Sequence, residues 1–211
     1  MREYWNHNTA FHPELVAAVP GPGARVLDIG CGDGLLLERL SARAGHAVGV
    51  EPDAATVRAA QARLAGARDV EIVHSSFLEA EFDSGPFDLV TCVAALHHMP
   101  LRPALERMKA LTAAGGQIRV VGLAADRTVT DHLLAAALVV PVRLVSLARR
   151  ESAYPGMVTA EPRESLREIR AVASEILPGH RLRRRFHYRY TLTWTKPRRQ
   201  PGDGSQRGLR R

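Results

Sequence analysis

The chain has little with which to staple itself together or to span a membrane. Of its 211 residues only two are cysteine, Cys31 and Cys92. One falls in a glycine-rich loop and the other on an apolar strand, so no bridge between them is expected and no disulfide framework is needed. Zinc signatures are missing: there is no Cys-x-x-Cys pair and no His-Glu-x-x-His spacing, and the nine histidines are scattered except at His97 and His98. No metal site is expected. A G-x-S-x-G nucleophile elbow is absent as well. The apolar run from Leu133 to Val142 is ten residues long and stops at Arg143, too short to cross a bilayer. Met1 to Asn6 lack the apolar stretch of a signal peptide, and the expected setting is the reducing cytoplasm. No internal repeat of solenoid length is present.

Acidic residues are scarce only at one end. The formal charge is +7, yet residues 181 to 211 hold eleven Lys or Arg against one acid, whereas the preceding residues hold eighteen against twenty-one. From Pro197 the chain is rich in breakers and poor in apolar side chains, so residues 198 to 211 are read as a disordered basic tail. Such charge attracts phosphate in a salt-dependent way. The tail has no aromatic residue on which a base would stack, which favours a solvated tail over a nucleic-acid partner.

What is present begins at residue 26. Val26-Leu27-Asp28-Ile29 reads as a buried parallel strand, and Gly30, Gly32 and Gly34 follow at every second position. Glycines so placed let the backbone turn tightly and approach a ligand that side chains would displace. Leu35, Leu36, Leu37 and Leu40 then mark a helix whose N-terminus points at that ligand, the arrangement of a nucleotide-type cofactor site. The dinucleotide fingerprint G-x-G-x-x-G does not fit, because its third glycine falls on Leu35.

The spacing Asp28-x-Gly30-x-Gly32-x-Gly34 resembles the first motif of class I, seven-stranded S-adenosylmethionine-dependent methyltransferases, and the resemblance runs in order across residues 22 to 197. It implies an α/β fold: a Rossmann-like three-layer sandwich with a mostly parallel seven-stranded sheet and an antiparallel C-terminal strand. It also implies S-adenosylmethionine as cofactor, with Asp28, Gly30, Cys31 and Gly32 in the loop that holds it. A second strand, Ala47 to Val50, ends at Glu51, about twenty residues past the loop, where a carboxylate accepts from both ribose hydroxyls; Pro52 and Asp53 then start a helix through Leu64. A third strand, Val70 to Val73, leads to Ser76 and Phe77. Relatives commonly carry an aspartate for the adenine amino group where this chain has Ser76.

Phe87 to Val93 is a fourth strand, and Ala94-Ala95-Leu96-His97-His98 after it resembles the family's fourth motif. Leu111 to Val121 is read as a helix end, a turn at Gly115-Gly116 and a strand from Gln117. Arg181 to Arg185 and Tyr188 to Lys196 alternate as hairpin strands, with Tyr190, Leu192 and Trp194 on one face. A chain of this length makes about one domain, able to bury roughly 70% of its unfolded surface. Its parts are an N-terminal cap over residues 1 to 21, a methyltransferase domain over 22 to 197 with a helical insert at about 124 to 160, and the tail.

The stretch between the fifth strand and the C-terminal hairpin, residues 124 to 180, is expected to set substrate choice. Leu133 to Val142 is apolar around nearly the whole circumference of a helix kinked at Pro141, which implies burial against the body or a lid over a lipophilic acceptor. Glu161 to Leu177 reads as an ordinary amphipathic helix. The cap carries Tyr4, Trp5, His7, Phe11 and His12; in similar enzymes such a segment folds over the cofactor, which suits Tyr4 to the methionine carboxylate and His12 to the acceptor. Val93 closes the cofactor-binding set at the end of the fourth strand.

For a hydroxyl acceptor a base removes the proton, and histidine has a suitable pKa. His98, then His97, stands nearest the expected methyl position, although the same pair also serves to cap the next helix or pack beneath a lid. The family's base-methylating members place a tetrapeptide with paired prolines after the fourth strand; here Val93-Ala94-Ala95-Leu96 stands instead, which argues against base methylation. The expected activity is methyl transfer to a small-molecule acceptor, lipophilic or aromatic in character. A non-catalytic S-adenosylmethionine-binding regulator and an RNA methyltransferase guided by the basic end are the alternatives.

Overall fold

The structure is a computed structural model that describes residues 3–83, 85–125, 139, 141–149, 151–152 and 160–198. The expectations for the tail beyond residue 198 and for a helix over 133–138 lie outside the described residues. The order of elements is a 3₁₀ turn Thr9–Phe11, α1 (His12–Val16), β1 (Arg25–Ile29), α2 (Leu35–Ser41), β2 (His46–Glu51), α3 (Ala54–Leu64), β3 (Val70–His74) and β4 (Phe87–Val93). A second 3₁₀ turn, Leu96–His98, precedes α4 (Leu101–Leu111) and β5 (Thr112–Gly122). After a helix α5, described at 139 and 141–148, come α6 (Leu166–Ile176), β6 (Arg181–Arg185) and β7 (Arg189–Thr195).

The seven strands form one sheet in the order β3-β2-β1-β4-β5-β7-β6. Only β7 runs against its neighbours, pairing antiparallel with both β5 and β6. The chain leaves β1 toward β2 and β3 on one side and returns to β4 and β5 on the other. The crevice at the carboxyl ends of β1 and β4 is therefore the topological switch point where open sheets of this kind bind ligands. Tyr190, Leu192 and Trp194 share one buried face, as their alternation predicts. With Phe87 and Ile118 they pack on α4 and α6 through Leu105, Met108, Ile169 and Ala173. On the other face Leu36, Leu37 and Leu40 of α2, with Phe11 and Leu15 of the cap, cover Val26, Ala47 and Leu89.

Two local expectations are corrected. The pair Gly115-Gly116 is not a turn before a strand but an irregularity inside β5: pairing with β4 shifts between Phe87↔Thr112 and Leu89↔Gln117. Gly115 has φ +83°, and a Cβ on Gly116 would meet the Phe87 carbonyl oxygen at 2.9 Å, so both positions need glycine. Lys196 closes this irregularity, its ammonium donating to the Lys109 and Thr112 carbonyls at 2.8 and 2.6 Å.

The amphipathic helix begins at Leu166 rather than Glu161 because Ser165 and Glu168 form a capping box, each side chain accepting the other residue's backbone N–H. In the insert, Val139 is helical, as are residues 141–148. Of the run 133–142, Val142 is buried and Val139 is 38% exposed; beyond it Leu144 and Leu147 are 61% and 77% exposed. No described helix is long and apolar enough to cross a membrane.

Candidate functional site

The site starts where β1 ends. Gly30, Gly32 and Gly34 have φ of +67°, +57° and +82°, a conformation that side chains with a Cβ rarely adopt. The Gly30 and Cys31 amides donate to the Val50 carbonyl, which ties the loop to the end of β2. Glu51 completes the tie. Its Oε2 accepts from the Gly32 amide and its Oε1 from the Asp53 amide, both at 3.1 Å, so each oxygen retains a lone pair for a ligand hydroxyl.

Asp28 is buried beneath this loop and accepts from the Thr91 hydroxyl at 2.7 Å. Burial pushes its carboxyl up to about 7, against the pull of the Thr91 hydrogen bond and with a further push from Glu51. Asp33, inside the glycine loop, is buried too. Its Oδ2 receives Arg63 of α3 at 2.7 Å and its Oδ1 receives the Tyr4 hydroxyl at 2.9 Å. One aspartate thus anchors the loop to α3 and brings the N-terminal segment down over it.

Every site residue singled out from the sequence lines one cavity of ≈ 400 Å³. Asp28, Gly30, Cys31, Gly32, Glu51 and Pro52 line it from β1 and β2, Ser76 and Phe77 from beyond β3, and Val93, His97 and His98 from beyond β4. Tyr4 and His12 line it from the cap. The Ser76 hydroxyl donates to Glu79 at 2.7 Å, which leaves its oxygen free to accept from an amino group. Tyr4 likewise commits its proton to Asp33, so a role as donor to a carboxylate is replaced by one as tether.

The histidines differ in what they can do. His12 is corrected from a candidate base to a structural residue: its Nδ1 accepts from Arg39 at 3.0 Å, so the lone pair that would take a proton is occupied. Burial, with the Arg39 charge behind it, lowers its pKa to about 3. His97 is lowered to about 4 by burial, with His98 and Arg189 adding to the shift, and its Nδ1 is buried without a partner. The His97 and His98 rings lie 4.2 Å apart, and His98 is exposed where it lines the cavity.

These shifts set a pH dependence of stability. In the unfolded chain both His12 and His97 take up a proton near pH 6.5, whereas in the folded chain they resist it down to about 3 and about 4. Each therefore destabilises the fold as pH falls below 6.5. Asp28 has the opposite sign, because its folded carboxyl already holds a proton near pH 7. The His12→Asn variant keeps an acceptor for Arg39 and removes one titration. Relative to wild type its stability should fall less steeply between pH 6.5 and 4, by up to about 1.4 kcal/mol per pH unit. Thermal melts across that range would test this, and parallel curves would sink it.

Four residues absent from the sequence expectations complete the site: Asp33, Arg63, Asn8 and Arg189. Asp33 had a visible signal, its place between two of the loop glycines. Asn8 lies in the polar N-terminal segment, where its Oδ1 receives Arg189 of β7 through Nε at 3.0 Å and Nη2 at 2.8 Å. Arg63 and Arg189 carry no local signal, since each reads as one more arginine on a helix or strand.

Comparison with known proteins agrees with this arrangement. A family model described as a methyltransferase domain matches residues 26–116, from β1 into β5. An uncharacterised methyltransferase of Mycobacterium tuberculosis is 33% identical over 198 residues, covering 93% of this chain and 100% of that protein. A ubiquinone biosynthesis O-methyltransferase of Hahella chejuensis is 38% identical over 81 residues, 37% of this chain and 34% of that protein. Among solved structures, the YcgJ protein of Bacillus subtilis superposes with a TM-score of 0.62 at 21% identity, covering 83% of this chain and 71% of that one, a likeness of fold. With a relative matched along its entire length and the sheet wound as the glycine loop requires, the chain belongs to the class I, Rossmann-like, S-adenosylmethionine-dependent methyltransferases.

Proposed function

We propose that this enzyme transfers the methyl group of S-adenosylmethionine to a hydroxyl of a small-molecule acceptor, with His98 receiving the hydroxyl proton. The observation that carries this reading is the sharing of one cavity by the glycine loop and the histidine pair. The cavity fits the cofactor on the β1 and β2 side. Gly30 lets the loop pack against Ala95, whose Cβ would stand 2.4 Å from a Cβ at position 30, Glu51 keeps free lone pairs for two vicinal hydroxyls, and Ser76 is left an acceptor next to Phe77 on the cavity wall. In this reading the Gly30-Cys31-Gly32 backbone cradles the methionine portion, Asp28 supports the loop from beneath, and Val93 and Pro52 bound the remaining walls.

When bound, the sulfonium supplies a methyl group that departs from sulfur as the acceptor oxygen attacks, leaving a neutral thioether. The protein's share is position and dryness. Residues 1 to 21 act as the cap, with Tyr4 on Asp33 and Asn8 on Arg189 drawing the segment across the mouth. Met99, Leu123 and Phe77 give the lining an apolar character suited to an aromatic or lipophilic acceptor. The O-methyltransferase description of the Hahella relative supports a hydroxyl as the atom methylated. Both cysteines are buried and free, in keeping with a reducing cytoplasm.

Turnover of a panel of phenolic acceptors with labelled S-adenosylmethionine tests the activity, and His98→Ala tests the base. The variant should lose roughly 10²- to 10⁴-fold in kcat while its affinity for S-adenosylhomocysteine, measured by calorimetry, stays unchanged. Wild-type turnover by His98→Ala would remove the base from the mechanism.

A further inference from the structure

Arg189 stands at the cavity wall as a cation with no counter-ion among the described residues. It opens β7, and the pairing Gly122↔Tyr190 sets it beside the carboxyl end of β5, on the same sheet edge as the glycine loop. Three strand spacings separate β7 from β1, roughly 14 Å at ~4.8 Å each. The guanidinium therefore meets the cavity on the side away from Glu51 and the loop, where the acceptor lies in the reading above.

Among the described residues its hydrogen bonds go to neutral atoms. Nε and Nη2 donate to Asn8 Oδ1, and Nη1 donates to the His187 carbonyl at 3.2 Å. No described carboxylate forms an ion pair with it; Glu151 acts on it only through longer-range attraction. The rings around it are three histidines, His7, His97 and His187, all held toward the neutral form by burial first and by the Arg189 charge in part. Two guanidinium N–H groups, one on each Nη, remain without a partner among the described residues. Burial lowers the Arg189 pKa to about 10, as expected for a charge withdrawn from water without compensation.

We propose that Arg189 is the counter-ion of an anionic group on the methyl acceptor, a carboxylate or a phosphomonoester carried near the hydroxyl that is methylated. The inference rests on the small-molecule reading of this cavity and narrows its substrate to an acid. A guanidinium presents parallel N–H groups that match such an anion in a bidentate way, which a lysine does not. Asn8 is a positioning residue: by taking Nε and Nη2 it turns the other edge of the fork toward the cavity and makes acid recognition depend on the closed cap.

The test is calorimetry on the full chain saturated with S-adenosylhomocysteine, using para-hydroxybenzoate against para-hydroxybenzamide and phenyl phosphate against phenol. At least one acid should bind ~10-fold or more tightly than its neutral partner, and which one does separates the carboxylate from the phosphate source. Arg189→Gln should level the members of that pair while leaving S-adenosylhomocysteine affinity within about twofold, and Arg189→Lys should recover only part of the preference.

Equal binding of acid and neutral probes by the wild type, or no binding by either acid, overturns the proposal. So does a large loss of S-adenosylhomocysteine affinity in Arg189→Gln, which would hand the guanidinium to the cofactor's own carboxylate. If the acid preference depends on Arg189 but no hydroxyl compound is ever methylated, the hydroxyl reading fails and the anion site stands.

Discussion

Replacing Gly30 with valine should abolish methyl transfer and weaken S-adenosylhomocysteine binding by more than ~100-fold, about 2.7 kcal/mol. Two effects act at the same atom. Gly30 has φ +67°, where a β-branched residue is strained by about 1–3 kcal/mol. Its new Cβ would also stand 2.4 Å from the Ala95 Cβ, far inside contact distance. Ala95 immediately precedes the turn Leu96–His98, so relief of the clash displaces the histidine pair as well as the loop. The control is Gly21→Ala, which meets nothing within 4 Å and should leave binding and turnover intact. Micromolar affinity in Gly30→Val would show that the cofactor is held elsewhere.

The second large effect is expected on stability. The Arg63 and Asp33 side chains are 3% and 5% exposed and meet at 2.7 Å. Arg63 also donates through Nε to the Asp33 carbonyl at 3.0 Å, so it holds both the side chain and the backbone of the glycine loop. Arg63→Met leaves a buried carboxylate with the Tyr4 hydroxyl as its main support, a change that costs about 3–5 kcal/mol. For a domain of this size that lowers Tm by roughly 6–20 °C. Adding Asp33→Asn removes the stranded charge and should recover a substantial part of the loss. A Tm within ~2 °C of wild type for the single variant would mean that the pair does not hold the loop.

The expectations that survived are those whose cause is local. Alternation over Tyr190, Leu192 and Trp194 identified β7 because a strand exposes its two faces at a period of two, whatever it pairs with. The glycines at 30, 32 and 34 marked the loop because a positive φ is a property of single residues. The expectations that moved depend on contacts across the chain. The start of β5 was misplaced at Gln117 because the glycine irregularity is closed by Lys196, some eighty residues later. The insert was read as buried against the body or as a lid, and which side of α5 packs is set by the rest of the fold: Val142 is buried whereas Val139 is 38% exposed.

The same division runs through the site. By itself the sequence determined the sheet-and-helix alternation, the glycine loop after the first strand and the positions of Glu51 and the histidine pair, because those follow from residue type and short spacing along one chain. Tertiary structure decided which of these groups are chemically available. Arg39 reaches across from α2 to occupy His12, and Arg63 reaches from α3 to fix Asp33. The sheet order brings Arg189 next to Asn8, a residue 181 positions earlier in the chain. A lone pair or a charge is free or taken only once its neighbours are in place, and those neighbours are chosen by packing rather than by proximity in sequence.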